Sequence, residues 1–230
     1  MKVLCRLVLL GLLGVVCSGQ AFRYDADESG VELPEDCSQV LRYWGKGVQR
    51  YICTEAGWKL SEPLAYLHQY LNDGETTFVS TEIAGYHFFT NPGTLATSPS
   101  GPGWTIGKGC DLTSCDTVQA SWVGRGVVDS QPQGEAIAHL LVERSDRLTS
   151  GYGLLTQTSY LQRLKTIDGL PPTTGCDETT IGTYVDSNYQ CDYIFSVCDD
   201  LAPVTTPCCV AIAEDYVYNY DEGGLPPAFL

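Results

Sequence analysis

Apolar positions along the chain recur in short runs between turn formers, not in a sustained helical period. Runs rich in Val, Ile, Tyr, Thr and Trp occupy Gln39–Trp44, Val48–Thr54, Thr76–Thr81, Tyr86–Thr90, Val118–Val128, Ala136–Arg144, Thr158–Thr166 and Tyr189–Val197. Such β-branched and aromatic residues suit a pleated, half-buried surface. Asn72-Asp73-Gly74, between two runs, is a hairpin signal. Five Gly-x-Gly triplets (Gly45–Gly47, Gly101–Gly103, Gly107–Gly109, Gly124–Gly126 and Gly151–Gly153) punctuate the pattern, as expected for tight turns and bulges. Leu64–Leu71 (LAYLHQYL) does not alternate cleanly and reads as a short helix. Residues 92–117 read as a long Gly/Pro/Ser-rich loop, tied down by Cys110 and Cys115. The prediction is an all-β fold: one antiparallel β-sandwich or barrel-like domain, disulfide-stapled, with little helix.

The ends differ from this body. Residues 1–21 place Lys2 and Arg6 around an apolar run, Leu7–Val16, too short to span a bilayer and followed by the small residues Ser18, Gly19 and Ala21. This is the layout of a signal peptide cleaved after Gly19 or Ala21. No later stretch has the length of a membrane span, so the mature chain is expected to be secreted and extracellular, with no membrane partner. Residues 22–36 are acidic and aperiodic, an extended leader; residues 37–198 form the β domain. Residues 199–230 are a Pro/Cys/Tyr-rich acidic extension, in which Tyr216, Tyr218 and Tyr220 would share one face of a strand.

Cysteine content fits that address. Cys5 and Cys17 leave with the signal, and Cys37, Cys53, Cys110, Cys115, Cys176, Cys191, Cys198, Cys208 and Cys209 remain. In an oxidising compartment these are staples. Their number is odd, so at least one is unpaired or bonded to another chain, a route to self-association. Zinc sites want two closely spaced ligand pairs, and only Cys110 and Cys115 approach that spacing; no metal is expected.

Charge excludes other partners. Thirteen basic against 28 acidic residues give −15, and loss of Lys2 and Arg6 takes this to −17. Phosphate backbones and anionic bilayers are bound through Lys and Arg, so neither nucleic acid nor a membrane surface is expected. Catalytic motifs are missing: no Gly-x-Gly triplet extends to a dinucleotide fingerprint, and there is no phosphate loop and no Gly-x-Ser-x-Gly elbow. No cofactor is expected. The three histidines, His68, His87 and His139, form no His-x-x-x-His pair. Of these His87 is the best candidate, on a strand beside the loop that carries Trp104, with Tyr86 as its neighbour.

The order of motifs resembles a family of secreted proteins catalogued as domain of unknown function 3455. Val48-Gln49-Arg50-Tyr51-Ile52-Cys53 followed by Trp58 resembles its opening Gly-x-Gln-x-Tyr-x-Cys strand and Trp. Gly85-Tyr86-His87-Phe88 and Gly103-Trp104 resemble its Gly-x-His and Pro-x-Trp elements. Tyr160-Leu161-Gln162-Arg163-Leu164-Lys165-Thr166, with Gly169, Pro171-Pro172 and Gly175-Cys176, resembles its most specific stretch. The resemblance covers about residues 40–195. It departs where His139 replaces a usual Trp and where the 92–117 loop is longer. The resemblance implies a secreted fold, a Cys53–Cys176 bridge and no established activity. Some members carry a malate dehydrogenase label, which this sequence has no nucleotide-binding element to support.

Two functions follow as expectations. One is a disulfide-rich structural or binding protein of an extracellular matrix, wall or secretion, without an identifiable catalytic centre. The other is a small secreted hydrolase on saccharide or ester, with His87 as acid/base and Tyr86 and Trp104 as its aromatic platform.

Overall fold

The computed structural model describes residues 30–72, 77–90, 101–145 and 149–198. Nine strands follow in chain order: β1 (Cys37–Thr54), β2 (Gly57–Asn72), β3 (Thr77–Phe89), β4 (Pro102–Cys110), β5 (Cys115–Gln133), β6 (Ala136–Arg144), β7 (Ser150–Gly151), β8 (Tyr160–Asp168) and β9 (Tyr184–Cys198). One 3-10 turn, Leu154–Gln157, is the only helical element among the described residues. All strand pairs are antiparallel, in the order β4-β3-β2-β1-β9-β8-β6-β5-β7, and β4 also pairs with β5. That last pairing joins the two sides of the sheet, so eight strands close into a barrel with the two-residue β7 attached to β5. Of the two predicted arrangements, the barrel is the one formed.

Closure depends on small residues within strands. Gly45-Lys46-Gly47 is not a turn; it lies inside β1, which fuses the two expected runs 39–44 and 48–54. A Cβ at Gly45 would strike the Tyr193 ring, and one at Gly47 would strike the Leu64 carbonyl oxygen. Glycine is there because another backbone or ring comes too close for a side chain.

Two expectations are corrected. Leu64–Leu71 is strand, not helix: it is the second half of β2, pairing with β1 (Val48↔Leu64) and β3 (Tyr66↔Tyr86). Pro63, Ala65 and Leu67 are buried on the inside while Leu64, Tyr66 and His68 are half-buried outside, so both faces carry apolar residues and the alternation is masked. Residues 92–117 are not one loop: Pro102–Cys110 is β4 and Cys115 begins β5. The Gly and Pro content concealed a strand whose Trp104, Thr105 and Ile106 are all buried. Residues 91–100 lie outside the described set, as does the Asp73-Gly74 turn, although the Asn72↔Thr77 pairing of the hairpin it closes is present.

The middle of the barrel is packed with side chains, as expected for eight strands. Trp104, Trp122, Tyr193 and Phe195 meet at ring edges, with Trp104–Trp122 centroids 5.4 Å apart and Trp122–Phe195 centroids 5.6 Å apart. Of the expected leader, residues 30–36 are described. Val31 is fully buried with Leu141, Leu164 and Ile194, and its carbonyl accepts a hydrogen bond from Gln162 Nε2 (2.7 Å). This makes a second, smaller apolar layer outside the barrel, because Ile194 and Gln162 alternate with the inward Phe195 and Leu161.

Three disulfides clip the ends. Cys37–Cys198 joins β1 to β9, Cys53–Cys176 joins β1 to the segment after β8, and Cys110–Cys115 closes the turn between β4 and β5. Cys191 is unpaired. It is 2% exposed, which keeps it from cross-linking folded chains; Cys208, Cys209 and the rest of the 199–230 extension lie outside the described residues, as does the segment 1–21 expected to be a signal peptide.

Candidate functional site

Strand alternation sorts the sequence candidates onto two faces. Gln49, Tyr51 and Cys53 on β1 are buried, as are His87 on β3 and Trp104 on β4. In register these residues oppose one another inside the barrel: His87 pairs with Trp104, and Tyr86 with Thr105. Tyr86 is therefore on the other face, half-buried against Phe88 at 5.2 Å. The structure brings His87 and Trp104 together and takes Tyr86 away from them, so the three do not make one platform.

His87 is enclosed. Its ring stacks on Trp104 (4.3 Å between centroids, 11° between planes) and meets Tyr193 at 5.1 Å. Nδ1 donates to the Gly103 carbonyl at 2.7 Å, which fixes the neutral tautomer with its hydrogen on Nδ1. The residue is 2% exposed, and burial is the main reason its pKa falls to about 3. An imidazole in this setting is neutral at pH 7, keeping the Nδ1 hydrogen and gaining no second proton, and is almost wholly shielded from solvent. His139 is also buried, on β6.

The residues that alternation places inside, and that motif reading passed over, make a more informative cluster. Arg163 on β8 pairs in register with Tyr193 on β9 and with Leu140 on β6, so its side chain is directed inward. The β6–β8 ladder stops at this pair, and β8 bulges between Leu164 and Ile167. Beyond that point the Ala138 carbonyl has no β8 partner in the ladder. Arg163 fills in, donating to it from Nε (3.1 Å) and Nη2 (2.8 Å). The positive field of Arg163 reaches Tyr51, His87, Tyr189, Cys191 and Tyr193, which come from three other strands.

Those neighbours are neutral. Burial pushes the Cys191 thiol up to about 12 and raises the Tyr51, Tyr189 and Tyr193 phenols above their ordinary value. Tyr189 and Tyr193 hydroxyls share a hydrogen bond of 2.8 Å, and Tyr51 Oη donates to the Gly169 carbonyl at 2.7 Å. Gly169, at φ 88°, folds the chain over this end of the barrel, where a Cβ would crowd Tyr189, Ile137 and Gln49. The signal for Arg163 was present in Leu161-Gln162-Arg163: an inward leucine puts the residue two positions on toward the same interior.

The outer face carries a different group. Asp192, 2% exposed, accepts from Arg42 Nη2 (2.6 Å) and from the Tyr70 hydroxyl (2.5 Å). The Arg42 guanidinium lies 4.0 Å over the Tyr70 ring, and burial followed by the Asp192 bond raises the Tyr70 phenol. Next to it Trp44 meets His68 at 5.4 Å and Lys46 at 5.6 Å. The Arg42–Asp192–Tyr70 contacts make this a cross-strand clamp on β1, β2 and β9.

Among the described residues no group of three or more His, Cys, Asp or Glu is placed to hold a metal ion. A family described as "Protein of unknown function (DUF3455)" matches residues 34–196. The chain belongs to this family. No curated protein and no solved structure matches it. Within the DUF3455 match, the Gly-x-Gln-x-Tyr-x-Cys strand is Gly47, Gln49, Tyr51 and Cys53, one face of β1. The Tyr160–Cys176 stretch supplies Arg163, the Gly169 fold and the Cys176 bridge.

Proposed function

We propose that this DUF3455 protein is a secreted structural or binding component of an extracellular matrix, wall or secretion. The observation that carries the reading is sulfur: six of the seven described cysteines are joined in three bridges. Reducing compartments keep thiols open, so a chain that relies on bridges belongs outside. The N-terminal segment supports the same address, and no helix among the described residues is long and apolar enough to cross a membrane. The acidic surplus suits cationic surroundings. The hydrolase reading finds no support in the geometry around His87, whose Nδ1 hydrogen is committed to the Gly103 carbonyl, which has no carboxylate partner among the described residues, and which is 2% exposed. Expression of the full chain in a secretory host tests the proposal. Protein in the medium, with its N-terminus at Gln20 or Phe22 by mass spectrometry, is the expected result. Retention inside the cell with Met1 intact and the cysteines reduced contradicts it.

A further inference from the structure

Arg163 poses a problem of charge. A guanidinium directed into a barrel is costly unless an anion faces it. Among the described residues no carboxylate lies within ion-pair distance; the four ion pairs belong to Arg42, Arg50 and Arg125. The two donors that Arg163 uses, Nε and Nη2, go to one backbone carbonyl, and among the described residues Nη1 makes no such bond. Arg163 also keeps partial exposure, at the place where β6 and β8 part, so a solute can reach it.

A second observation points to the same end of the barrel. Gln49, 2% exposed, has a buried Nε2 with no hydrogen-bond partner. Leaving a buried amide donor without an acceptor is costly, so such groups are normally satisfied. Gln49 packs at Gly169 with Ile137 and Tyr189, and Ile137 precedes the Ala138 whose carbonyl holds Arg163. A cation with no anion among the described residues and a buried amide donor with no acceptor thus lie at the end of the barrel where Gly169 folds over, beside Tyr51 and Tyr189.

We propose that the Gly169 end of the barrel interior binds a small ligand bearing a carboxylate or phosphate group, held by Arg163 and the Gln49 amide. Both groups offer planar or fork-like oxygen pairs that match a guanidinium. Tyr51 and Tyr189, kept as neutral phenols, add aromatic walls without adding a competing negative charge. The site is a property of the folded barrel and holds wherever the protein acts, so its failure would leave the extracellular reading standing.

The test uses purified, oxidised full-length protein in calorimetric titrations at constant ionic strength. Sodium phosphate and sodium benzoate are the probes, and sodium chloride is the reference. The expected result is one saturable site per chain for phosphate or benzoate, and which of them binds assigns the headgroup. Arg163→Gln weakens it by about tenfold or more, the loss of a charge-assisted hydrogen bond. Gln49→Leu also weakens it, yet leaves the thermal midpoint unchanged or raised, because it removes an orphan donor. If Arg163→Gln does not fold, Gln49→Leu decides alone. No saturable heat with either probe, or binding that persists unchanged in the folded variants, overturns the site.

Discussion

Serine at both Cys53 and Cys176 lowers the stability of the oxidised protein by about 4 kcal/mol, about twice the loss expected from opening the short Cys110–Cys115 clip. The bridge spans 123 residues, and alone a loop of that length would be worth about 5 kcal/mol of denatured-state entropy. The Cys37–Cys198 bridge encloses it and already confines the same stretch, leaving a detour of about 40 residues around the missing link, which reduces the figure. By contrast Cys110–Cys115 closes a separation of five residues and is worth about 2 kcal/mol. Denaturant unfolding of the two double-serine variants gives the comparison; in heat, the Cys53/Cys176 variant melts about 10 °C lower. Equal losses for the two pairs would mean that the bridges do not act through chain entropy.

The second large effect is acid sensitivity through His87. Its folded pKa, about 3, lies below the 6.5 of an ordinary histidine, so the unfolded chain takes up the proton first. Stability from the neutral imidazole is full above pH 6.5 and drains as pH falls toward 3, at about 1.4 kcal/mol per pH unit. The loss reaches about 2.5 kcal/mol at pH 4.5 and about 4 at pH 3. Arg163 adds to the cost, since its field also opposes a second positive charge in the interior. Asp111, Asp177 and Asp186 have pKa values lowered by their hydrogen bonds, and their contributions are lost only at lower pH, below the ordinary carboxylate range. His87→Gln isolates the effect, because its amide has a donor for the Gly103 carbonyl and no proton to gain. The difference in unfolding free energy between wild type and His87→Gln should shift against wild type by about 2.5 kcal/mol from pH 7.5 to pH 4.5. Parallel pH curves would refute the buried neutral imidazole.

The strand content was legible because β-branched and aromatic runs alternate where one face is wet, as in Ala136–Arg144, which is β6 without adjustment. It was illegible where both faces are covered. Leu64–Leu71 has the inside of the barrel on one side and neighbouring aromatics on the other, so its pattern lost the period of two. In β4 the glycines looked like turns although they allow close approach: a Cβ at Gly103 would meet the Phe88 ring, and one at Gly107 the Thr117 carbonyl oxygen. Ring closure itself rests on β4–β5 pairing, which no local pattern announces.

For the site, residue type was a poor guide and position a better one. His87 drew notice because histidine is reactive in general, but the aromatic stack that made its neighbourhood look promising is what seals it. Tyr86 adjoins it in sequence and points away, a consequence of the same alternation. Gln49 and Arg163 were quoted only as parts of larger patterns. Their meaning depends on lying two residues from Tyr51 and Leu161 on inward faces, where among the described residues the Gln49 amide nitrogen has no acceptor and Arg163 no anion.

The most direct measurement is peptide mapping of the native protein after alkylation without reductant. A closed, oxidised barrel requires linked peptides for Cys37–Cys198, Cys53–Cys176 and Cys110–Cys115. Cys191, buried inside and with its thiol held protonated, should escape iodoacetamide until denaturant opens the sheet. Rapid labelling of Cys191 in the native state, or its recovery in a bridge with any of these six, would contradict the account.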